Sequence, residues 1–399
     1  MSFNDKWEEF SLDEISDAIF SGGTPTTTVK DYWNGKFNWL SSGETRNTYI
    51  METEKTITQK GIDNSSTRLA LIDDVVIASA GQGRTRGQVS LCKIDTYINQ
   101  SIIAIKANKN KLSPNYLYYN LSNRYEELRK LSDGNSIRGS ITTKLIKDLP
   151  IFIPDLPEQK AIAKILSSLD DKIENNKRIN KTLERIAEAL WLKMFVNVIN
   201  NGCKESAISD FIDVRDGTHD SPKPVESGFN LITSKHLNDN YIDFDSSYKI
   251  SQEDYIKINK RSKVEQYDIL ISMIGTVGRI YFVTDIGISF AIKNVGLYKT
   301  SKNKDFAYYL YLFLKSVQGR QFIKRNCEGS TQEYITLGSL RKMKIIIPTK
   351  MIITEFNILV EPIFSEIFNN SIQIRTLATI RNTLLPKLMS GEIRVKDIC

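Results

Sequence analysis

Arginine and glutamine side chains on a glycine-rich segment have the residue types and spacing for hydrogen bonding to base edges. The segment runs from Gly81 to Gly87, directly after an apolar run. Arginine forms paired hydrogen bonds with guanine and glutamine with adenine, and glycine lets a backbone approach a ligand closely. The candidate DNA contacts in this segment are Gln82, Arg84, Arg86 and Gln88. A solvated hairpin that carries surface charge would have the same composition.

Other polar loops combine hydroxyl, amide and basic side chains, which suit contacts to DNA phosphates and bases. Several of these loops occupy matching places in the two halves of the chain. Each loop by itself is also compatible with an ordinary turn. The further candidate DNA contacts are Thr26, Arg46, Arg138, His219, Ser221, Lys223, Lys235, His236, Thr276, Arg279 and Gln332.

Residue patterns that support catalysis are missing from the sequence. It has no GxxxxGK[ST] phosphate loop and no Pro-Pro dipeptide, so it also lacks the Asn/Asp-Pro-Pro-aromatic motif of adenine methyltransferases. Its 2 histidines and 4 cysteines show no metal-ligand spacing. We therefore expect neither a catalytic nor a metal site. An enzyme with an unfamiliar active site is an alternative, which titration with a cofactor or Mg²⁺ would reveal.

The overall composition is that of a globular protein with an excess of basic residues. A chain of 399 residues suits two or three domains. A net charge of +7 permits polyanion binding without proving it. There is neither a signal-peptide pattern nor an apolar run of about 20 residues. We expect a cytoplasmic, nucleoid-associated protein.

The second half of the sequence repeats the first at a constant offset of 194 residues, as in 268 − 74 = 194. Internal repetition of this kind dictates architecture. We predict four segments: a globular head over 1–153, a helix over 154–199, a second head over 200–347 and a second helix over 348–399. The matching segments are Asp74–Gly81 with Asp268–Gly275, Leu149–Pro154 with Met343–Pro348, and Glu174–Asn176 with Phe368–Asn370.

Each predicted head mixes short strand-like runs with turn residues, which indicates an α/β (α+β) domain curved around a small sheet. Tyrosines on the predicted head helices are expected to pack in the core rather than to stack on bases. They are Tyr116, Tyr118, Tyr119, Tyr308, Tyr309 and Tyr311.

The two predicted helices carry apolar residues at alternating spacings of four and three, which is the seam of a coiled coil. We expect the helices to pair with each other. The short link near 198–202 favours antiparallel pairing, with the heads at opposite ends and related by pseudo-two-fold symmetry. The first seam is Ile162, Leu166, Leu169, Ile173, Asn176, Asn180, Leu183, Ala187, Leu190 and Met194. The second is Phe356, Val360, Ile363, Ile367, Asn370, Ile374, Leu377, Arg381, Leu384 and Leu388.

Polar residues and prolines interrupt these seams. Asn176 and Asn370 occupy the same seam position, where buried asparagine can fix helix register, although partial solvation would also explain them. Pro362 lacks an N–H group, so the second helix either begins near Glu361 or bends there. Pro386 is expected to end it.

Two stretches resemble the specificity subunits of type I restriction-modification systems. One is Leu149–Gln159, which contains Leu-Pro-Glu-Gln and leads into the apolar run Ile162–Leu166. The other is Leu384–Ile393. The glycine turns after the buried strands and the duplicated layout extend the resemblance over the whole chain. The second copy departs from it at Pro348-Thr349-Lys350, where Pro-Glu-Gln is missing.

This resemblance implies a non-catalytic DNA-recognition subunit. Each head would be a target-recognition domain for one half of a bipartite, asymmetric double-stranded DNA target, and the helices would set the spacer. The chain would dock two methyltransferase subunits, with restriction subunits joining them, for adenine-N6 methylation or cleavage. S-adenosylmethionine, ATP and Mg²⁺ would belong to those partners. The alternative is a coiled-coil scaffold with protein-binding heads, which predicts weak DNA affinity that is indifferent to sequence.

Overall fold

The computed structural model describes residues 7–81, 83–133, 139–196, 204–239, 241–284 and 286–395. The candidate contacts Gln82 and Arg138, and the link near 198–202, lie outside the described residues. Within the described ranges, none of the helices combines the length and apolar character that crossing a membrane requires.

The first half of the chain forms a strand-rich head that leads into a long helix. Its strands are β1 (Glu8–Ser11), β2 (Ser16–Ser21), β3 (Trp33–Leu40), β4 (Tyr49–Ile50), β5 (Lys55–Ile57), β6 (Arg68–Ala70), β7 (Val75–Ala78), β8 (Val89–Cys92), β9 (Thr96–Ile98), β10 (Ile102–Ala107) and β11 (Pro150–Ile153). Its helices are α1 (Gln59–Asp63), α2 (Pro114–Asn123), α3 (Tyr125–Asp133), α4 (Thr143–Lys147) and α5 (Leu156–Trp191).

The second half repeats this plan. Its strands are β12 (Lys204–Ala207), β13 (Val214–Asp216), β14 (Phe229–Thr233), β15 (Tyr248–Ile250), β16 (Ile269–Ser272), β17 (Ile280–Phe282), β18 (Phe290–Lys293), β19 (Val295–Tyr298) and β20 (Lys344–Ile347). Its helices are α6 (Gln252–Ser262), α7 (Ala307–Lys315), α8 (Val317–Arg325), α9 (Leu337–Lys342) and α10 (Lys350–Ser390).

The chain divides into two compact units, and each unit contains one head and parts of both long helices. Unit 1 comprises 1–174 and 375–399, and unit 2 comprises 175–374. The two heads were predicted to end at 153 and 347, and strands β11 and β20 end at Ile153 and Ile347. The units nevertheless cut across the predicted helical segments, since each long helix contributes to both of them.

Each head contains several sheets, whereas the sequence predicted a single small one. In unit 1 the strand orders are β2-β10-β7-β8-β4, β5-β3-β9-β6 and the pair β1-β11. In unit 2 they are β13-β19-β16-β17, β15-β14-β18 and the pair β12-β20. Short strands of two to eight residues cannot each reveal their partners, which is why the periodicity did not separate the sheets.

The long helices pair antiparallel within each unit. In unit 1, Asp170 of α5 binds Arg381 of α10, and Glu158 near the start of α5 binds Arg394, which follows the end of α10. The start of α5 therefore lies beside the end of α10. In unit 2, Asn176 donates to Gln373 and Asn370 donates to Asn180. Every residue named for the two seams is buried or half-buried.

The prediction that Pro386 ends the second helix was wrong, and the helix does not begin near Glu361. A bend at Pro362 stays a prediction. Helix α10 is continuous from Lys350 to Ser390, through Pro362 and Pro386. Each proline removes one hydrogen bond to the carbonyl four residues earlier. Both prolines lie on the exposed face, and so do Ile358 and Asn382, whose carbonyls lose the bonds, so water can solvate those carbonyls. The bonds of the surrounding turns keep the helix intact.

The tyrosines of α2 and α7 pack in the cores, as predicted. In unit 1, Tyr116 and Leu117 lie in one apolar cluster with Leu166 of α5 and Leu388 of α10. In unit 2 the corresponding cluster is aromatic, and Tyr308 stacks on Phe364 with ring centroids 4.5 Å apart. These clusters anchor each head to its helix pair.

Candidate nucleic-acid interface

In unit 1, the strand order brings four polar loops to one edge of the five-stranded sheet. Strands β2 and β7 end at this edge, because each runs antiparallel to β10, which begins there. Strand β8 also begins there, and β4 is parallel to it. The loops 22–28, 42–48, 79–88 and 99–101 therefore meet at what we call the first polar edge.

Two candidate contacts at the first polar edge are exposed. Thr26 lies on the loop after β2, where its carbonyl accepts a hydrogen bond from Trp33 Nε1 at 3.3 Å. Arg46 ends a short 3-10 turn and forms an exposed ion pair with Glu54, with 3.3 Å between nitrogen and oxygen. Exposed pairs of this kind are weak, so Glu54 does little to fix the position of the Arg46 guanidinium.

Helix α3 holds the glycine-rich loop in place. Tyr125 Oη donates to the carbonyl of Arg84 at 2.8 Å, and Arg129 Nη1 donates to that of Gly83 at 2.6 Å. Gly83 and Gly87 have φ values of +61° and +88°, a region that disfavours side chains. The side chain of Arg84 is exposed on this fixed loop.

The two arginines of this loop have different surroundings. Arg86 is only 9% exposed and forms an ion pair with Asp133 at the end of α3. Its buried guanidinium positions the loop, so the prediction that it reads a base is not supported by its location. Gln88 is half-buried, and its carbonyl accepts from the Ala78 N–H at the start of the hairpin.

Unit 2 has an equivalent edge, which we call the second polar edge. Strands β13 and β16 end there and β19 begins there, because β19 runs antiparallel to both. The loops 217–223 and 273–279 follow these strand ends. The turn 234–236 joins them through Ser234 Oγ, which donates to the Asn294 carbonyl at 2.7 Å. The segment 328–334 joins through the Gly275 N–H, which donates to the Glu333 carbonyl at 2.9 Å.

Two candidate contacts in unit 2 are occupied by structural bonds. His236 is fully buried, and its Nδ1 accepts from the Thr233 N–H at 3.0 Å, so it caps a turn and cannot reach DNA in this structure. Arg279 is half-buried, and its Nη1 donates to the Leu237 carbonyl at 3.1 Å and to Asn238 Oδ1 at 2.9 Å. A single sequence does not distinguish these roles from surface contacts, because both use the same donors.

The other candidates in unit 2 lie on the surface of the second polar edge. His219 is exposed, but each of its ring nitrogens has a partner within the protein: Asp216 and Asn294. The remaining exposed candidates are Ser221, Lys223, Lys235, Thr276 and Gln332.

The structure adds residues that sequence reasoning missed. Arg261 of α6 pairs with Asp216, and Lys293 donates to Ser221. Asn294 could have been found, because the 194-residue offset pairs it with Gln100, and 294 − 100 = 194. Each contacts the equivalent loop of its own unit: Gln100 bonds to Thr24 after β2, and Asn294 bonds to His219 after β13. Nothing in the sequence links Arg261 to this loop.

Arg215 fixes the end of α6 against β13. Its Nη1 donates to the Arg261 carbonyl at 2.6 Å, and its Nε donates to Asp213 Oδ2 at 2.9 Å. Hydrogen bonding from Arg215 is the main cause that lowers the pKa of Asp213, so this anchor stays charged over the neutral range. Among the described residues, no group of three or more His, Cys, Asp or Glu side chains is arranged to hold a metal ion.

Comparison with known proteins gives a consistent result across the chain. The chain is 26% identical to the MjaIX type I restriction enzyme specificity subunit of Methanocaldococcus jannaschii, over 98% of this chain and 94% of that protein. It is 24% identical to the HindI specificity subunit of Haemophilus influenzae, over 97% and 99% of the two chains. The fold resembles the crystal structure of an S subunit from M. genitalium, with a TM-score of 0.55, 16% identity and coverage of 97% and 98%.

A family model, the type I restriction modification DNA specificity domain, matches residues 4–185 and again residues 200–355. The two matches in tandem agree with the predicted repeat, and together they cover most of the chain. Sequence, fold and family model therefore lead to one conclusion: the chain belongs to the family of type I restriction-modification DNA specificity domains, of which it contains two copies.

Proposed function

We propose that the chain reads a bipartite double-stranded DNA target, with one half-site for each unit. The observation that carries this proposal is the pair of polar edges. In each unit, sheet topology gathers loops from distant parts of the sequence at one edge. Hydroxyl, amide and cationic groups from several loops are what contacts to phosphates and base edges require.

The two polar edges carry different side chains, which supports an asymmetric target. The hairpin loop of the first edge spans 79–88 and presents Arg84, whereas that of the second spans 273–279 and presents Thr276. Different donors at equivalent places would select different bases. A chain with two such edges reads two unrelated half-sites rather than a palindrome.

The long helices are suited to set a fixed unread spacer between the half-sites. Helix α5 contains 36 residues, a length of about 54 Å at 1.5 Å per residue. Covalent linkage through such a helix makes binding of the second half-site intramolecular. A rigid helix pair would convert the separation of the heads into a fixed number of base pairs.

The chain is proposed to dock two methyltransferase subunits, and restriction subunits in the full complex. Large apolar side chains on the outward face of α10 support docking along this helix. Four of them are Met351, Ile358, Ile372 and Ile380, which are between 42% and 69% exposed. Exposed apolar groups of this kind mark interaction surfaces. S-adenosylmethionine, ATP and Mg²⁺ are proposed to bind those partners, which would carry out adenine-N6 methylation or cleavage.

Methylation mapping tests this function directly. The chain is co-expressed with the methyltransferase subunit from the same source, and N6-methyladenine is mapped across the host genome. The expected result is one motif with two defined halves and a fixed gap. A stable complex without methylation would contradict a working reader, and the absence of a complex would favour the scaffold with protein-binding heads.

A further inference from the structure

A buried carboxylate organises the loop that follows β13 in unit 2. The Asp216 side chain is 5% exposed, and its Oδ2 lies 2.9 Å from Nε2 of His219. Its other oxygen accepts from the guanidinium of Arg261 on α6. Burying a carboxylate is costly unless it is paired. Asp216 therefore holds the Arg261 and His219 side chains at fixed places on the second polar edge.

The loop is fixed from its other side by the junction of β18 and β19. His219 Nδ1 lies 2.9 Å from Oδ1 of Asn294, a residue with a φ of +53°. The Gly217 backbone runs so close to β18 that a Cβ atom there would lie 2.3 Å from the carbonyl oxygen of Ile292. With both ring nitrogens engaged, His219 orients the loop and has little capacity to bind DNA itself.

Cationic side chains approach the loop from two directions. From α6, Arg261 is 60% exposed, and Lys257 lies 3.5 Å from Asp220. From β18, the ammonium group of Lys293 donates to the Ser221 hydroxyl. Lys223 is exposed on the loop itself. These cations outnumber the carboxylates of Asp216 and Asp220, so the surface attracts anions.

We propose that this loop is a phosphate-binding site on the second polar edge. Arg261 and Lys293 contact a phosphate of the DNA backbone, and Ser221 donates its hydroxyl. Arginine matches phosphate geometry with two parallel hydrogen bonds. Asp216 and His219 are positioning residues that hold the donors and do not touch the DNA. This inference rests on the proposed DNA-binding function and adds the chemistry of one contact.

The corresponding loop of unit 1, whose residues 22–28 the structure describes, is built differently. The 194-residue offset places Gly22 at the position of Asp216 and Pro25 at that of His219. The equivalent loop is held instead by a hydrogen bond from Thr24 to Gln100. Among the described residues, the equivalent loop of unit 1 has no carboxylate at this position, so changes to the site in unit 2 should leave recognition by unit 1 intact.

The test is the salt dependence of DNA binding by the complex of this chain with its methyltransferase subunit. The probe is a duplex that carries the mapped methylation motif, with an unrelated duplex for comparison. Neutralising Arg261 with Arg261→Gln should weaken binding to both duplexes by about threefold to tenfold, since one charged hydrogen-bonding contact is lost. The slope of log affinity against log salt should become shallower by about 1, and the motif should stay the same.

Control variants separate this contact from other effects. Asp216→Asn should weaken DNA binding and make the salt slope shallower, as Arg261→Gln does, because Arg261 and His219 lose their anchor. Lys344→Ala removes one exposed charge from unit 2, where Lys344 pairs with Glu205 at 3.6 Å, and should change neither quantity. Arg261 is largely exposed, so Arg261→Gln tests the site even where Asp216→Asn lowers folding stability.

Two results would overturn the inference. Unchanged affinity and slope in Arg261→Gln and Lys293→Gln would exclude a phosphate contact. Altered bases in one half of the methylation motif would show that the loop reads sequence rather than backbone. Absence of a bipartite motif for the unaltered chain would instead refute the proposed function, so the two failures are distinguishable.

Discussion

Asp170 of α5 and Arg381 of α10 form a buried ion pair, with 2.5 Å between Oδ1 and Nη1. The Asp170 side chain is 1% exposed, and Tyr119 of the head donates to its other oxygen at 2.7 Å. One carboxylate thereby joins the first head to both long helices. The 194-residue offset places Phe364 and Ala187 at the corresponding positions of the second copy, so unit 2 makes the same junction with apolar groups.

Removing one partner of this pair should destabilise unit 1. Arg381→Ala leaves a buried carboxylate without its cation, which costs about 3 kcal/mol or more. The midpoint of thermal unfolding should fall by several degrees. The double variant Asp170→Leu/Arg381→Met removes both charges and should lose less stability than the single variant. A double variant that is less stable than the single one would contradict this account.

Gln159 gives the Leu-Pro-Glu-Gln motif a structural role. Its side chain is buried, with Oε1 accepting from the Ser113 N–H at 2.9 Å and Nε2 donating to the carbonyls of Lys111 and Pro154. It therefore joins the start of α2 to the start of α5. Gln159→Leu should cost about 2–4 kcal/mol, because buried backbone groups lose partners.

Thermal unfolding of Gln159→Leu measures that loss. The matched control is Glu158→Gln at the adjacent position. This substitution keeps the size of the side chain and removes the charge that pairs with Arg394. It should have the smaller effect. Equal effects in the two variants would show that charge at the helix start, rather than backbone capping, makes the motif important.

The two arginines of the glycine-rich loop should respond differently to substitution. Arg84→Ala should relax or abolish recognition at one half-site with no loss of folding stability, because this side chain is exposed. Arg86→Ala should lower stability by about 1 kcal/mol, because it removes a largely buried ion pair whose partner Asp133 is exposed. Methylation mapping and thermal unfolding of both variants measure the difference. An unchanged motif in Arg84→Ala would exclude this arginine as a base reader.

Lengthening the helix pair should change the spacer and not the half-sites. Seven residues added after Asn180 in α5, with seven added after Ser365 in α10, preserve the heptad pattern and add about 10 Å. This length corresponds to about three base pairs at 3.4 Å each. The methylation motif should keep both halves and gain about that many unread positions. Altered half-sites with an unchanged gap would refute the role of the helices as a ruler.

The sequence predicted the repeated architecture because repetition and heptad spacing are properties of the chain itself. The seam residues are buried or half-buried because alternating spacings of four and three define one face of any helix. Asp170 lies next to the first seam, and its partner Arg381 was named only as a member of the second seam. Their pairing depends on the relative alignment of two helices more than 200 residues apart, which neither pattern contains.

The candidate contacts were harder to assign for a related reason. The sequence identified most of the loops at the polar edges, because glycine and polar residues mark loops wherever they occur. It did not distinguish Arg84 from Arg86, since exposure depends on where α3 packs. His236 and Arg261 show the same limitation, because one is buried by its turn and the other is brought to the edge by α6.

Unit 1 is completed by residues 375–399 at the far end of the chain, where Leu388 and Met389 are buried among residues of the first head. On the ribosome, the first head must therefore wait for the segment that begins at Arg375 before its core can close. A premature stop codon just before Arg375 would leave unit 2 with all of its own residues and would remove buried residues from the core of unit 1. Substitutions at Leu388 and Met389 should consequently lower the stability of unit 1 rather than that of unit 2.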